Sequence, residues 1–118
     1  MKVKIPDLVI KTLSDLGVDH LFHLPGSTTA SFYDSLTRQR KIKSVLCKHE
    51  QGACFAAAGY SLATNRTGVC MVMCGPGITN LVSAVTECFY LSIPIVVITV
   101  DNPKGNLEIG RASCRERV

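Results

Sequence analysis

The sequence predicts an α/β domain in which a parallel sheet is covered by helices on both faces. Short apolar segments alternate with longer segments of helical periodicity, which is the pattern of parallel strands joined by right-handed crossover helices. In addition, residues 69–74 and 94–100 are apolar with almost no polar alternation, as expected for parallel strands that are buried on both faces.

The first part of the chain is predicted to contain two helices and a strand. Residues 6–16 carry apolar side chains at helical spacing and are followed by Gly17, a helix stop signal. Residues 18–24 are predicted to form a short strand, because Pro25-Gly26 makes a turn that neither a helix nor a strand continues through. A second helix is predicted to begin at Ser27 or Thr28 and to run to about residue 36.

The rest of the chain continues the alternation. Strands are predicted over residues 44–47, 69–74 and 94–100, and helices over residues 51–63 and 78–91. Because the side chains of the helix at 51–63 are mostly small or apolar, we expect this helix to be buried on nearly all sides.

Composition excludes several classes of protein. Of the 118 residues, 47% are hydrophobic and only 19% are charged, which favours a domain that buries part of its exterior against something else. The net charge of +4 is mild and its basic residues are scattered without aromatic neighbours, so we expect no nucleic-acid binding. The longest apolar run, residues 93–100, is far shorter than the roughly 20 residues of a membrane span.

The amino terminus and the cysteines predict a cytoplasmic protein. The residues after Met1 lack the long apolar region of a secretory signal. The six cysteines show no C-x-x-C spacing and have no histidine pair nearby, which favours buried free thiols over disulfides or a metal site.

Three unusual features are predicted to meet at one edge of the sheet. They are the Pro25-Gly26 turn, Glu50 at the start of the third helix, and the Gly75-Pro76-Gly77 turn, and each follows a predicted strand. Taken singly, each is typical of an ordinary turn or a helix-capping carboxylate. Because ligands of parallel α/β sheets bind at the carboxyl ends of strands, the three together predict a ligand site.

The motifs around these features resemble the pyrimidine-binding (PYR) domain of thiamine-diphosphate-dependent enzymes, in the acetolactate synthase and pyruvate oxidase branch. The resemblance covers residues 5–99 and lies in GVDHLF leading to PG (17–26), HEQGA (49–53), AGY (58–60), GVC (68–70) and GPGITNL (75–81). His23 and Met73 differ from the residues that are common in the family.

The resemblance implies a catalytic role for Glu50, as the glutamate that hydrogen-bonds N1′ of the cofactor's aminopyrimidine ring. The cofactor would then supply a carbanion and an electron sink for decarboxylating a 2-keto acid. We expect the apolar third helix to keep water away from Glu50. The other cofactor-binding residues implied by the resemblance are Pro25, Gly26, Gly75, Pro76, Gly77 and Asn80.

The resemblance also implies that much of the cofactor site lies elsewhere. In the family, Mg²⁺ and the diphosphate are held by a diphosphate-binding (PP) domain of a partner subunit, the enzymes are homo-oligomers, and some of them use FAD. The family's PYR domain continues for about two further strands, so residues 1–107 are predicted to be a partial PYR domain that is inactive alone. Residues 108–118 resemble the translation of a sequencing adapter and are left out of the fold prediction.

Two alternative functions remain open at the level of sequence. The chain is also compatible with the PYR subunit of a 2-keto acid decarboxylase of the phosphonopyruvate or sulfopyruvate type, in which PYR and PP domains can be separate chains. A non-catalytic α/β module that serves only in assembly is the third possibility.

Overall fold

The computed structural model describes residues 4–100, and in this range it contains a four-stranded parallel sheet. The strands are β1 (His20–His23), β2 (Lys43–Leu46), β3 (Gly68–Met73) and β4 (Ile95–Val100). They are arranged in the order β2-β1-β3-β4. The predicted parallel α/β fold is therefore confirmed.

The helices connect the strands as expected for crossover units. They are α1 (Ile5–Asp15), a 3₁₀ turn (Ser27–Thr29), α2 (Ala30–Gln39), α3 (Glu50–Thr64), α4 (Pro76–Thr79) and α5 (Val82–Tyr90). Pro6 and Asp7 lie in the first turn of α1, where a missing N–H group and a negative charge are both favourable. Arg40 closes α2 in the left-handed conformation, with φ 50°, and its N–H bonds back to Leu36.

Helices cover both faces of the sheet, and neighbouring strand residues point to opposite faces. Leu21 and Met71 pack on the side of α1 and α2. Phe22 and Val72 pack on the side of α3 and α5. Because β3 lies between two strands and under two helix layers, its residues from Gly68 to Val72 are buried, which confirms the reading of its unbroken apolar run.

The helix predicted over residues 78–91 is interrupted. Pro76 begins the four-residue helix α4, and the Leu81 N–H then bonds to Ile78 O at 3.0 Å, a tighter turn than an α-helix makes. Leu81 is 2% exposed and belongs to the core. The prediction of one continuous helix was wrong, because burying Leu81 and forming the turn after Gly75 require a change of direction before α5.

Helix α3 is buried on one side only, contrary to the prediction. Ala53, Cys54, Ala57 and Ala58 face the core, whereas Phe55 and Leu62 are 44% and 68% exposed. The apolar composition of α3 is typical of a helix that is covered on most sides. Within residues 4–100, however, nothing covers the side that carries Phe55 and Leu62.

The cysteines are free thiols in the part of the chain that the structure describes. Cys54, Cys70 and Cys88 are buried, as predicted, while Cys47 and Cys74 are half-buried; Cys114 lies outside the described residues. No group of three or more potential metal ligands occurs among residues 4–100. None of the helices in this range is long and apolar enough to cross a membrane.

Asp19 connects several side chains at the edge of the sheet where the strands begin. Its carboxylate accepts hydrogen bonds from the Tyr60 hydroxyl at 2.5 Å and from Arg66 Nη1 at 2.6 Å, and His20 Nδ1 lies 2.9 Å away. The bond from Tyr60 is the largest cause that lowers the pKa of Asp19, followed by the contacts with His20 and Arg66. The loop before β1 is thereby fixed to α3 and to the loop after it.

We expect Asp19→Asn to lower the free energy of unfolding of the chain at neutral pH. Because the pKa of Asp19 is lower in the folded state, its stabilising effect is full above the unfolded value near 3.8 and is lost as the pH falls below that value. Urea denaturation at a series of pH values should show the wild-type and variant curves converging in acid. The matched control, Asp34→Asn, removes an exposed pair with Arg38 and should cost no more than about 0.5 kcal/mol. Equal effects of the two variants at neutral pH would contradict the role of Asp19.

Candidate functional site

The three features predicted to form a site do lie at the same edge of the sheet. Pro25-Gly26 follows β1, Glu50 begins α3 shortly after β2, and Gly75 follows β3. Strand β1 lies between β2 and β3, so the three turns are neighbours at the carboxyl ends of adjacent parallel strands.

Glu50 is half-buried at the amino terminus of α3. The preceding residue, His49, caps the helix by accepting a hydrogen bond from Gln51 N at 3.2 Å through Nδ1. With His49 in the capping role, the Glu50 side chain is free to face the turn that follows β3. There, Asn80 Nδ2 donates a hydrogen bond to Glu50 Oε2 at 3.0 Å.

The turn after β3 brings backbone close to this carboxylate. Gly75 has a φ of 71°, a conformation that residues with a side chain rarely adopt. Gly77 is buried, and a Cβ atom at its position would lie 3.5 Å from Glu50 Oε1. Glu50, Gly77 and Asn80 are thus brought together, with one carboxylate oxygen near a backbone surface and the other bonded to an amide.

Met73 links this turn to the one after β1. A Cβ atom at Gly26 would lie only 2.2 Å from Met73 Sδ, and one at Gly77 would lie 3.7 Å from Met73 Cβ. The Met73 side chain therefore packs directly on the Gly26 backbone, beside the residues that approach Glu50. Met73 differs from the residue common in the family, but its sequence position alone does not predict that it packs in the site.

A partly buried network of polar side chains is bonded to Gly26. The Thr29 hydroxyl accepts from Gly26 N at 3.0 Å and donates to Gly26 O at 2.9 Å, and Tyr33 Oη lies 3.4 Å from it. Tyr33 Oη is also 3.1 Å from His23 Nδ1, while His23 Nε2 is 2.5 Å from Ser44 Oγ.

His23 is 4% exposed, and burial lowers the pKa of its imidazole, so the neutral ring is favoured. We assign His23 a structural role in this network. The hydroxyl groups around His23 could not be deduced from its place in the sequence. The one indication that this position is unusual was that His23 differs from the residue common in the family.

The expectation that α3 keeps water away from Glu50 was wrong for residues 4–100. Glu50 is half-buried and Asn80 is exposed, because the covering surface ends at the edge of the sheet. Within residues 4–100 the site is a solvent-accessible surface formed by the backbone of the turns, the Glu50 carboxylate and the Asn80 amide.

The fold is of the parallel α/β class, with a candidate ligand site at the carboxyl edge of the sheet. Its residues 3–115 match the family model described as thiamine pyrophosphate enzyme, N-terminal TPP binding domain. The chain belongs to this family, which confirms the resemblance found in the sequence.

The similar curated proteins include several acetolactate synthases. The chain is 48% identical over 97 residues to an acetolactate synthase of Mycobacterium bovis, an alignment that covers 82% of this chain and 16% of that protein. It is 42% identical over 98 residues to a probable chloroplastic acetolactate synthase 2 of Oryza sativa, covering 83% of this chain and 15% of the relative. The chain thus spans about one sixth of the length of the curated relatives it matches.

Proposed function

We propose that this chain forms the aminopyrimidine-binding half of a thiamine diphosphate site in an acetolactate-synthase-like enzyme, which decarboxylates one 2-keto acid and joins the product to a second. The observation that carries the proposal is the position of Glu50, which lies at the carboxyl edge of the sheet with its carboxylate between the Gly77 backbone and the Asn80 amide. The family match and the acetolactate synthase relatives support it.

The residues at this edge fit a flat ring with nitrogen atoms at its rim. Glu50 would hydrogen-bond the N1′ atom and exchange a proton there, which a carboxyl group can do in either protonation state. Pro25, Gly75, Pro76 and Gly77 would offer backbone and pyrrolidine surfaces, since glycine allows a ring to approach the main chain closely. The space beside Gly26 is filled by Met73, so Gly26 would support the pocket through that side chain. Thiamine diphosphate, when bound, supplies the nucleophilic carbon and the electron sink for decarboxylation.

A second domain would complete the site and cover an apolar surface. We define the α3–α5 surface as the exposed apolar residues Phe55, Leu62, Val82, Phe89, Tyr90 and Leu91. Phe89 and Tyr90 are 84% and 82% exposed, and large apolar side chains exposed on neighbouring helices are typical of an interface. An apolar cleft of about 330 Å³ lies beside it and is lined in part by Ile78, Val82 and Val97.

We propose that the occupant of the α3–α5 surface is the diphosphate-binding domain of a partner subunit in a homo-oligomer. The relatives are about six times longer than the matched segment, so further domains are available to cover it. Mg²⁺ would be held by that domain, and any FAD would be bound outside residues 4–100. The free thiols in the described part of the chain suit a reducing compartment such as the cytoplasm.

Reconstitution tests this proposal. The full 118-residue chain is mixed with a separate chain carrying a diphosphate-binding domain, and we call the product the reconstituted complex. Calorimetry with thiamine diphosphate and Mg²⁺ should show binding by the complex and negligible binding by either chain alone. Tight binding by the 118-residue chain alone, or none by the mixture, would overturn the half-site proposal.

Substrate assays on the same complex separate the alternatives. Acetolactate formation from pyruvate supports the synthase assignment. Carbon dioxide release from phosphonopyruvate or sulfopyruvate without carboligation supports the decarboxylase. Cofactor binding without turnover of any of the three acids supports an assembly module.

A further inference from the structure

We infer that Asn80 is a positioning residue, which acts through Glu50 and not by direct contact with the cofactor. The inference rests on the proposed function and assigns the proton-sharing oxygen of that site. Asn80 Nδ2 donates to Glu50 Oε2 at 3.0 Å. Among residues 4–100, this is the hydrogen bond that the structure gives to the Glu50 carboxylate.

The chemistry of the amide makes the two carboxylate oxygens unequal. An N–H group donates and cannot accept, so Oε2 cannot carry a proton toward Asn80 while this bond exists. The bond also lowers the basicity of Oε2, so a proton on Glu50 is favoured on Oε1, the oxygen on the Gly77 side. Asn80 thus selects Oε1 as the atom that shares a proton with a bound ring nitrogen.

The backbone of Asn80 is held in place before any ligand binds. Its N–H bonds to Pro76 O at 3.0 Å, and the next residue, Leu81, is buried in the core at 2% exposure. Asn80 lies in the interruption between α4 and α5. The break in the helix therefore positions the amide that bonds Glu50. With the backbone fixed, orienting the Glu50 carboxylate restricts only the side-chain rotamers of the exposed Asn80.

A first measurement examines the contact in the full chain without cofactor. In NMR spectra, the Asn80 side-chain amide protons should shift on Glu50→Ala, while those of Asn65, at the far end of α3, should not. An unchanged Asn80 amide signal would overturn the inference at its first step.

A thermodynamic cycle on the reconstituted complex tests the role. Its probe is a thiamine diphosphate analogue in which N1′ is replaced by a C–H group. In the wild type, loss of N1′ should weaken binding about ten- to a hundredfold, the range for a hydrogen bond to a charged group. In Asn80→Leu, which keeps the side-chain size but cannot donate, this penalty should fall to about threefold or less.

The control is Thr79→Val, which removes the hydroxyl bond to Pro76 O at 3.0 Å but leaves the Glu50 contact intact. Its N1′ penalty should equal that of the wild type. A full penalty in Asn80→Leu, or the same reduction in Thr79→Val, would overturn the positioning role. If Glu50→Ala also keeps the full penalty, then Glu50 is not the N1′ partner and the proposed function itself fails.

Discussion

Glu50→Gln is expected to reduce kcat of the reconstituted complex by about 10²- to 10⁴-fold, the range contributed by a positioned acid–base group. Glutamine has nearly the size of glutamate and can accept the hydrogen bond from Asn80, so the fold and the local packing should be kept. What it loses is the ability to take up and release a proton. The effect should therefore fall on kcat, with a smaller change in cofactor affinity, and steady-state kinetics combined with calorimetry separate the two.

Asp15→Asn is the matched control for this substitution. It also converts a carboxylate to an amide, but Asp15 ends α1, where it bonds Lys11 on the surface, at the opposite end of the sheet from Glu50. Its turnover should stay within about twofold of the wild type, as expected for a surface change. Unchanged turnover in Glu50→Gln would show that the catalytic group has been misassigned, even if the cofactor still binds.

The sequence is enough to predict which turns lie together at the carboxyl edge of the sheet, because the direction of the strands determines this. Once the alternation of strands and helices indicates a parallel sheet, every turn that follows a strand must lie at the carboxyl edge. Pro25-Gly26, Glu50 and Gly75-Pro76-Gly77 could therefore be placed together without any knowledge of side-chain packing. The role of these residues is still a prediction, which the cofactor experiments address.

The contacts of Met73 and His23 could not be predicted, because they join residues that are distant in the sequence. Met73 packs on the turn after β1, and His23 is bonded to Ser44 on the neighbouring strand. Both contacts depend on strand order and side-chain direction, whereas a one-dimensional pattern shows only that a residue is apolar or polar.

The exposed side of α3 illustrates a different limit. Phe55 and Leu62 have the spacing of buried helical residues, yet they are exposed within residues 4–100. A hydrophobic pattern reports that a face must be covered, but it carries no information on whether the cover is intramolecular or comes from a partner. The half-site proposal uses this difference between the expected and the observed burial.

Gly68→Ala is expected to lower the free energy of unfolding by about 1–3 kcal/mol or more, as overpacking of a tight core contact does. A Cβ atom at Gly68 would lie 2.0 Å from the Ala57 carbonyl oxygen and 2.6 Å from its carbon. These are backbone atoms of α3, so no side-chain rotation can relieve the contact. The helix must move away from β3, and because Glu50 is its first residue, the carboxylate should move relative to Asn80 as well.

Gly59→Ala is the control, since the same chemical change is made in the same helix–strand unit. Gly59 is exposed on α3, and a Cβ atom there would meet nothing within 4 Å. Alanine in this helical position should raise the free energy of unfolding by about 0.5–1 kcal/mol. Urea denaturation of the 118-residue chain should therefore shift in opposite directions for the two variants. If Gly68→Ala were as stable as the wild type, α3 could not lie against β3 at the distance described, and the position of Glu50 at the sheet edge would lose its structural basis.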